Sequence, residues 1–472
     1  MFHFRFWLFG EWNDVIIDDR LPCYMGKLVF CRNNKDPNEL WAPLLEKAYA
    51  KVYGSYEVLA GGFITDGLVD LTGGMDEVIM FDEELSSPDF KEKIKRLILQ
   101  AFARKSIVGC VIFNTLGTEG ILPNGLVSGH AYSVTQMKDL TIPNGTITLV
   151  RCLNPWNNSA EWNGKWSDNS PLWDQVAEGE RRKLKFQRSH DGEFWMSYDD
   201  FFDNFHGLQI CHCNLGSLGV LGADSSTANS CQKAISAWHE TVFHGKWKQG
   251  ESAGGSGLDG GPPEKYWTNP QYLIKLEFID GGIEEKWCTM IISLMFKENR
   301  QRILNGEETV YVAFDIYKVK DNADIRTHIE GSQKYYMTHL DYLDISGLLI
   351  QFRSINKRLK VRPGTYIIIP YTLECDQGGE FFLRIFTEKQ ANQTVSVELT
   401  NNKENLTESE TKRPHLKIDN EDNNQPDDAP ESSDEETNDA TEDKGDASPG
   451  SDSKKTNPDI DPNNKDAICT IQ

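Results

Sequence analysis

Two hydrophobic patterns alternate along the first third of the chain. From Phe4 to Ile17, aromatic and β-branched residues form two runs around Phe9-Gly10-Glu11, a β-hairpin signal. Between Asp36 and Tyr53 the apolar positions switch to a helical stripe of Leu40, Trp41, Leu44, Leu45, Ala48, Tyr49 and Val52. Asp36 followed three residues later by Glu39 resembles a capping box, and Pro37 suits a first helical position, so this helix is expected to start at Asp36. A second helix is expected over 88–104, with Phe90, Ile94, Leu97, Ile98, Ala101 and Phe102 on one face. Strand-like runs follow at 107–113, 131–135 and 146–153. The mixture predicts an α+β region ending near residue 215.

Residues 216–237 are poor in large apolar side chains and rich in Gly, Ser and Ala, as a linker is. Beyond them the period changes. Short β runs recur at 271–279, 287–296, 309–318, 347–353, 364–371, 379–387 and 394–399. Val310, Val312, Phe314 and Ile316 alternate with Tyr311, Ala313, Asp315 and Tyr317, the period of a half-buried strand. Many short strands separated by turn signals predict an all-β sandwich over 238–400. Residues 401–472 contain no Phe, Trp or Tyr and are rich in Asn, Asp, Glu, Ser and Pro, which predicts a disordered acidic tail.

Charge narrows the partners. The 472 residues carry a net charge of −23. The tail holds 20 acidic and 8 basic residues, about half of that excess, so the body is mildly acidic. A basic nucleic-acid-binding surface is not expected. No run approaches the ~18 apolar residues of a spanning helix. The first residues lack a basic segment followed by an apolar one, so a cytoplasmic location is expected. The ten cysteines are scattered, and free thiols in a reducing compartment are the expectation. Cys211-His212-Cys213 with Cys231, His239 and His244 has irregular spacing and no paired Cys-x-x-Cys, so zinc is not expected.

Candidate chemistry gathers between Gly125 and Asn154. Two strand-like runs flank Pro143-Asn144-Gly145, and a balanced antiparallel register sets His130 opposite Asn154 on one face. An imidazole beside an amide suits a general base held by an orienting group. On spacing alone, a hairpin with a core-satisfied histidine and a turn-capping asparagine is the better reading. Trp156 lies where it would shield the pair from water.

Several long segments in order resemble one family. Gly125-Leu-Val-Ser-Gly-His-Ala-Tyr-Ser-Val-Thr135, Arg151-Cys-Leu-Asn-Pro-Trp156, Glu161-Trp-Asn-Gly-Lys-Trp-Ser-Asp168 and Asp191-Gly-Glu-Phe-Trp-Met-Ser197 are similar to calpains, calcium-dependent papain-like cysteine endopeptidases. Gly54-Ser-Tyr-Glu57, Asp70-Leu-Thr-Gly-Gly74, Trp267-Thr-Asn-Pro-Gln271 and Arg362-Pro-Gly-Thr-Tyr366 extend the likeness over about residues 1–390. The resemblance implies a papain-like α+β core: an incomplete first subdomain at 1–64 and a second at 65–215. A calpain-type sandwich and the acidic tail follow. It implies limited intracellular proteolysis of protein substrates, with His130 and Asn154 catalytic, Trp156 shielding them, and Gly62 and Gly129 lining the substrate cleft. It implies calcium as cofactor, held by Glu161, Asp168, Asp191, Glu193 and the Ser189 carbonyl, and at a second place by Glu39. Without the resemblance these acids read as solvated loop charge. No Asp-x-Asp-x-Asp-Gly loop occurs, so this resembles an atypical calpain without EF-hands or an EF-hand small-subunit partner.

The family's nucleophile, a Cys-Trp at the start of a helix after an oxyanion-hole Gln, matches nothing here and would precede residue 1. An N-terminally truncated chain of this kind is not expected to cleave peptides unaided. The alternative is a non-catalytic short form acting as a calcium-binding regulatory or interaction protein.

The last four residues, Cys469-Thr-Ile-Gln472, fit a C-a-a-X box, against a chance ending. A lipid on Cys469 would bring membrane contact, although Lys454, Lys455 and Lys465 are too few for a polybasic second signal. Incubation with farnesyltransferase and labelled farnesyl donor is expected to label the chain and not a Cys469→Ser variant; an unlabelled wild type removes the membrane expectation.

Overall fold

In the computed structural model, Phe2–Leu8 and Glu11–Ile17 pair antiparallel around the Phe9-Gly10 turn, where both residues have positive φ. The hairpin buries Phe6, Val15 and Ile17 against Leu44, Ala48 and Tyr49 of helix α1 (Trp41–Tyr53). The structure describes residues 1–33, 36–81, 88–113, 119–143, 145–156, 160–213, 238–257, 263–276, 287–297, 302, 305, 307–308, 310–321, 339–346, 353–387 and 392–397. The expected linker, the 347–352 part of one expected strand, the acidic tail and Cys469 lie outside these.

Helix α1 starts five residues later than the capping-box reading places it. The Asp36 carboxylate accepts from the Asn38 N–H at 2.9 Å and closes a turn of its own. Pro43 supplies the second reason. It has no N–H to donate, which a helix tolerates in its first turn and not in its interior. A start at Trp41 keeps Pro43 within that first turn. Helix α2 (Ile64–Thr72) is not among the elements expected from the sequence, and its end is set by Gly73 in the left-handed region. Helix α3 (Pro88–Ala103) ends within one residue of expectation and buries Ile94, Leu97, Ile98 and Ala101.

A six-stranded antiparallel sheet carries the chemistry. Its order is Glu193–Ser197, Gly145–Leu153, His130–Ile142, Ile107–Ile112, Gly207–His212 and Met75–Met80. The His130 strand is thirteen residues long, far longer than the 131–135 run, because its outward positions Gln136, Lys138 and Asp139 hide the period. Tyr132, Val134, Val150, Cys152, Phe194 and Leu208 pack with α3 into one core.

The second half is a two-sheet antiparallel sandwich. One sheet runs His239–Trp247, Gly379–Thr387, Cys288–Phe296, Ser354–Val361. The other runs Leu340–Ile345, Val312–Val319, Gly364–Thr372, Gln271–Leu276, Asn392–Val397. The strand at Val312 is not half-buried. Ala313, Asp315 and Tyr317 are as buried as Val312 and Phe314, because Tyr266, Trp267 and Tyr371 cover the outer face and Tyr266 donates its hydroxyl to Asp315.

Three sandwich arginines grip the first half of the chain. Arg353 Nη1 donates to Asp70 Oδ1 at 2.7 Å, and the Tyr49 and Tyr53 hydroxyls donate to the other carboxylate oxygen. Arg384 donates to the Gly74 and Gly73 carbonyls at 2.6 and 3.0 Å, a cation at the negative end of α2. Arg358 and His212 both bond Glu77; burial alone would raise this carboxyl, but the Arg358 guanidinium and the hydrogen bond with His212 bring it down to about 2.

Arg353 and Asp70 are both buried, so Arg353→Ala leaves an uncompensated carboxylate. It is expected to cost about 3–5 kcal/mol, read as a lowered urea midpoint, and Arg353→Ala with Asp70→Asn is expected to cost less than the two changes summed. A loss below about 1 kcal/mol would show that the pair contributes no more than a surface ion pair.

Candidate active site

The hairpin from His130 to Leu153 builds the site. Its two strands meet at Ile142 and Gly145, so the turn sits later than a balanced reading places it. A bulge between Arg151 and Cys152 then shifts the register, pairing Cys152 with Val134 and Leu153 with Ser133. His130 and Asn154 are therefore not directly opposite, which corrects that expectation. They meet across the offset instead. Asn154 is the first residue beyond its strand, is fully buried, and sets Oδ1 3.0 Å from His130 Nε2.

The amide is locked in orientation. Asn154 Nδ2 donates to the Ala160 carbonyl at 2.9 Å, and its Oδ1 accepts the Trp156 N–H at 3.0 Å. The Trp156 ring centroid lies 4.8 Å from the imidazole, as a cover over this hydrogen bond. Gly129 enters the strand with φ +71, a conformation that favours glycine, and its N–H donates to Ile112. The structure thus gathers His130, Asn154, Trp156 and Gly129. Gly62 (φ +153) lies in the loop leading into α2.

The second nitrogen of His130 is also engaged. Nδ1 lies 2.8 Å from Glu119 Oε1. Sequence reasoning missed Glu119. The signal was present in Asn124-Gly125, a turn dipeptide that folds Gly120–Ile121 back onto Val127–Ser128 and carries Glu119 to the imidazole.

The acids implied for calcium share one neighbourhood. The Gly192 N–H donates to Glu161 Oε1 at 2.6 Å, and the Ser189 N–H to Asp168 Oδ2 at 3.0 Å. Asp191 Oδ1 accepts from the Glu193 N–H, and Arg151 reaches Glu193 at 3.4 Å. Burial first, and then the charges of Glu161 and Asp191, push the Asp168 carboxyl up to about 6. Burial raises Glu161 too. Among the described residues, no group of three or more His, Cys, Asp or Glu is gathered tightly enough to hold a metal ion. The donors are of the type calcium takes, carboxylate oxygens, and those of Glu161 and Asp168 are buried. Glu39 stands apart from them, exposed and bonded to Trp41 Nε1 and the Asn33 amide.

The two neighbourhoods touch. The Asn154 N–H donates to the Gly192 carbonyl at 2.8 Å, and Gly192 in turn is held by Glu161. Asn154 is thus fixed by the same loop that carries the acids.

Residues 1–212 match the family model described as calpain family cysteine protease, and residues 243–386 match calpain large subunit, domain III. The chain is 38% identical to Calpain-A of Drosophila melanogaster over 402 residues, 83% of this chain and 45% of that protein. It is also 38% identical to the calpain-2 catalytic subunit of Homo sapiens over 415 residues, 87% of this chain and 56% of that protein. The chain spans about half the length of the curated relatives it matches. A papain-like protease domain joined to a calpain domain III, with this identity over most of its length, places the chain in the calpain family of cysteine proteases.

Proposed function

We propose that this chain supplies the histidine and asparagine of a calcium-dependent cysteine endopeptidase, one that cuts intracellular protein substrates at limited sites. The hydrogen bond from His130 Nε2 to Asn154 Oδ1, beneath Trp156, carries the reading. In such a reaction His130 takes the thiol proton and later gives a proton to the leaving amine. Asn154 holds the ring in plane, and Trp156 keeps water from their bond. Calcium would be held by Glu161, Asp168, Asp191 and Glu193 with the Ser189 carbonyl, and would supply positive charge that relieves their repulsion. Relieving it would stiffen the Gly192 support of Asn154.

One observation favours a second reading, a non-catalytic calcium-binding regulatory or interaction protein. The Glu119 carboxylate is bonded to His130 Nδ1, the nitrogen a thiol would use. Casein turnover in calcium, with the nucleophile-bearing half of the protease domain supplied as a second polypeptide, separates the two. In the endopeptidase reading, His130→Ala lowers kcat/KM by about 10³-fold. Absence of wild-type turnover, with calcium binding intact, favours the second.

Calcium binding has its own pH signature. The folded chain holds the Asp168 proton up to about pH 6, whereas an unfolded aspartate loses its proton near 3.8. The folded state binds more protons across that window, so this group's contribution to stability declines as pH rises through it. Asp168→Asn is therefore expected to raise the stability of the calcium-free chain at pH 7 by about 1–2 kcal/mol. It is also expected to remove the Tm gain from added calcium. For the wild type, calorimetry is expected to show calcium affinity rising from pH 5 to 7. A pH-independent affinity, or an unchanged calcium response in Asp168→Asn, contradicts the assignment.

A further inference from the structure

His130 lies between two oxygen acceptors. Asn154 faces Nε2 with Oδ1, and its orientation is fixed by the Ala160 carbonyl and the Trp156 N–H. Glu119 faces Nδ1 at 2.8 Å. An ionised carboxylate has no proton to give, and a neutral imidazole has one N–H, which can satisfy one acceptor. A proton on each ring nitrogen satisfies both.

We propose that Glu119 is an autoinhibitory counter-ion, whose carboxylate occupies the nucleophile-facing nitrogen of His130 and holds the ring doubly protonated. The inference rests on reading His130 and Asn154 as base and orienting partner. With Nε2 given to Asn154, Nδ1 is the nitrogen left to accept a thiol proton. A ring protonated at Nδ1 and bonded to Glu119 cannot accept it. Glu119 therefore has to leave before any thiol is activated here.

The surroundings agree with a latch. The His130 side chain is 6% exposed and that of Glu119 37%, so the carboxylate approaches from the solvent side. The other close ring neighbours are aromatic, Tyr132 at 5.1 Å and Trp156 at 4.8 Å. The Tyr132 hydroxyl is committed to the Val127 N–H. Among the described residues, Glu119 is the one ionisable side chain bonded to the imidazole.

The hairpin that carries Glu119 is itself anchored. Gly120 pairs with Ser128, which sets Glu119 beside His130. At the other end of the hairpin, the Asn163 N–H donates to the Asn124 carbonyl at 2.9 Å, and Asn163 Nδ2 to the Pro123 carbonyl at 3.0 Å. Gly125 packs so tightly on the Glu161 carbonyl that an added Cβ would lie 1.9 Å from that oxygen. The latch and the acid-rich loop are thus two ends of one rigid connection. Movement of the loop on binding a cation has a direct path to Glu119.

The test is nitrogen NMR of the full-length chain labelled at histidine, with His130 assigned by His130→Ala. In wild type at neutral pH, both His130 ring nitrogens are expected to carry protons. In Glu119→Ala, Nδ1 is expected to lose its proton while Nε2 keeps its bond to Asn154. Glu119→Gln, which preserves the size of the side chain, is expected to do the same, because its amide can donate to Nδ1. Carbethoxylation of His130, read by peptide mass, is expected to speed up about tenfold in Glu119→Ala, the scale of a lost charge-assisted hydrogen bond. A wild-type ring with one unprotonated nitrogen overturns the proposal, as does a ring unchanged in both Glu119 variants. Asn154→Ala separates the underlying reading: if it leaves the Nε2 resonance unmoved, the pairing with Asn154 fails, whatever the Glu119 variants show.

Discussion

The site depends on the bulge at Arg151 and Cys152. Without it the Gly145–Leu153 strand would keep one register to its end, and every side chain past Cys152 would change face. With it, Cys152 stays in the core, and Asn154 leaves the strand two positions short of facing His130, within hydrogen-bond reach of its ring. Three hydrogen bonds then fix Asn154: its Nδ2 donates to Ala160, its Oδ1 accepts from the Trp156 N–H, and its backbone N–H donates to Gly192. His130 meets an acceptor whose position is set by the sheet, so its ring orientation is built into the fold.

The same logic extends outward from Asn154. Gly192 rests on Glu161, and Glu161 packs on Gly125 of the hairpin that brings Glu119 to Nδ1. One short circuit of backbone and side-chain contacts joins the acid-rich loop to both nitrogens of the imidazole. At the other edge of the sheet the arginines of the sandwich hold α2 and the Met75–Met80 strand in charged, buried contacts. Such contacts are worth little when made in water and cost much when broken after burial. They favour a fixed arrangement of sandwich and sheet over a loose tether.

Periodicity made the architecture legible where one face of an element meets water. Helix α3 and the hairpin at Phe2 followed from their patterns. It failed where both faces are covered, as at Val312–Val319, whose polar-looking Asp315 is buried under Tyr266. It failed again where turn chemistry competes with a cap, as at Asp36. The motif residues His130, Asn154 and Trp156 meet in space, but by an offset that spacing arithmetic cannot show, because a bulge leaves no mark in residue counts. Glu119 had no motif to announce it; its role comes from the hairpin at Asn124-Gly125.

The central claim is that Asn154 fixes His130 and that the acid-rich loop fixes Asn154. A crystal structure of the full chain grown with calcium tests it most directly. The account predicts a cation bound among Glu161, Asp168 and Asp191, with Asn154 still hydrogen-bonded to both Gly192 and His130. A cation bound elsewhere, or an imidazole turned away from Asn154 while the loop stays in place, would contradict it.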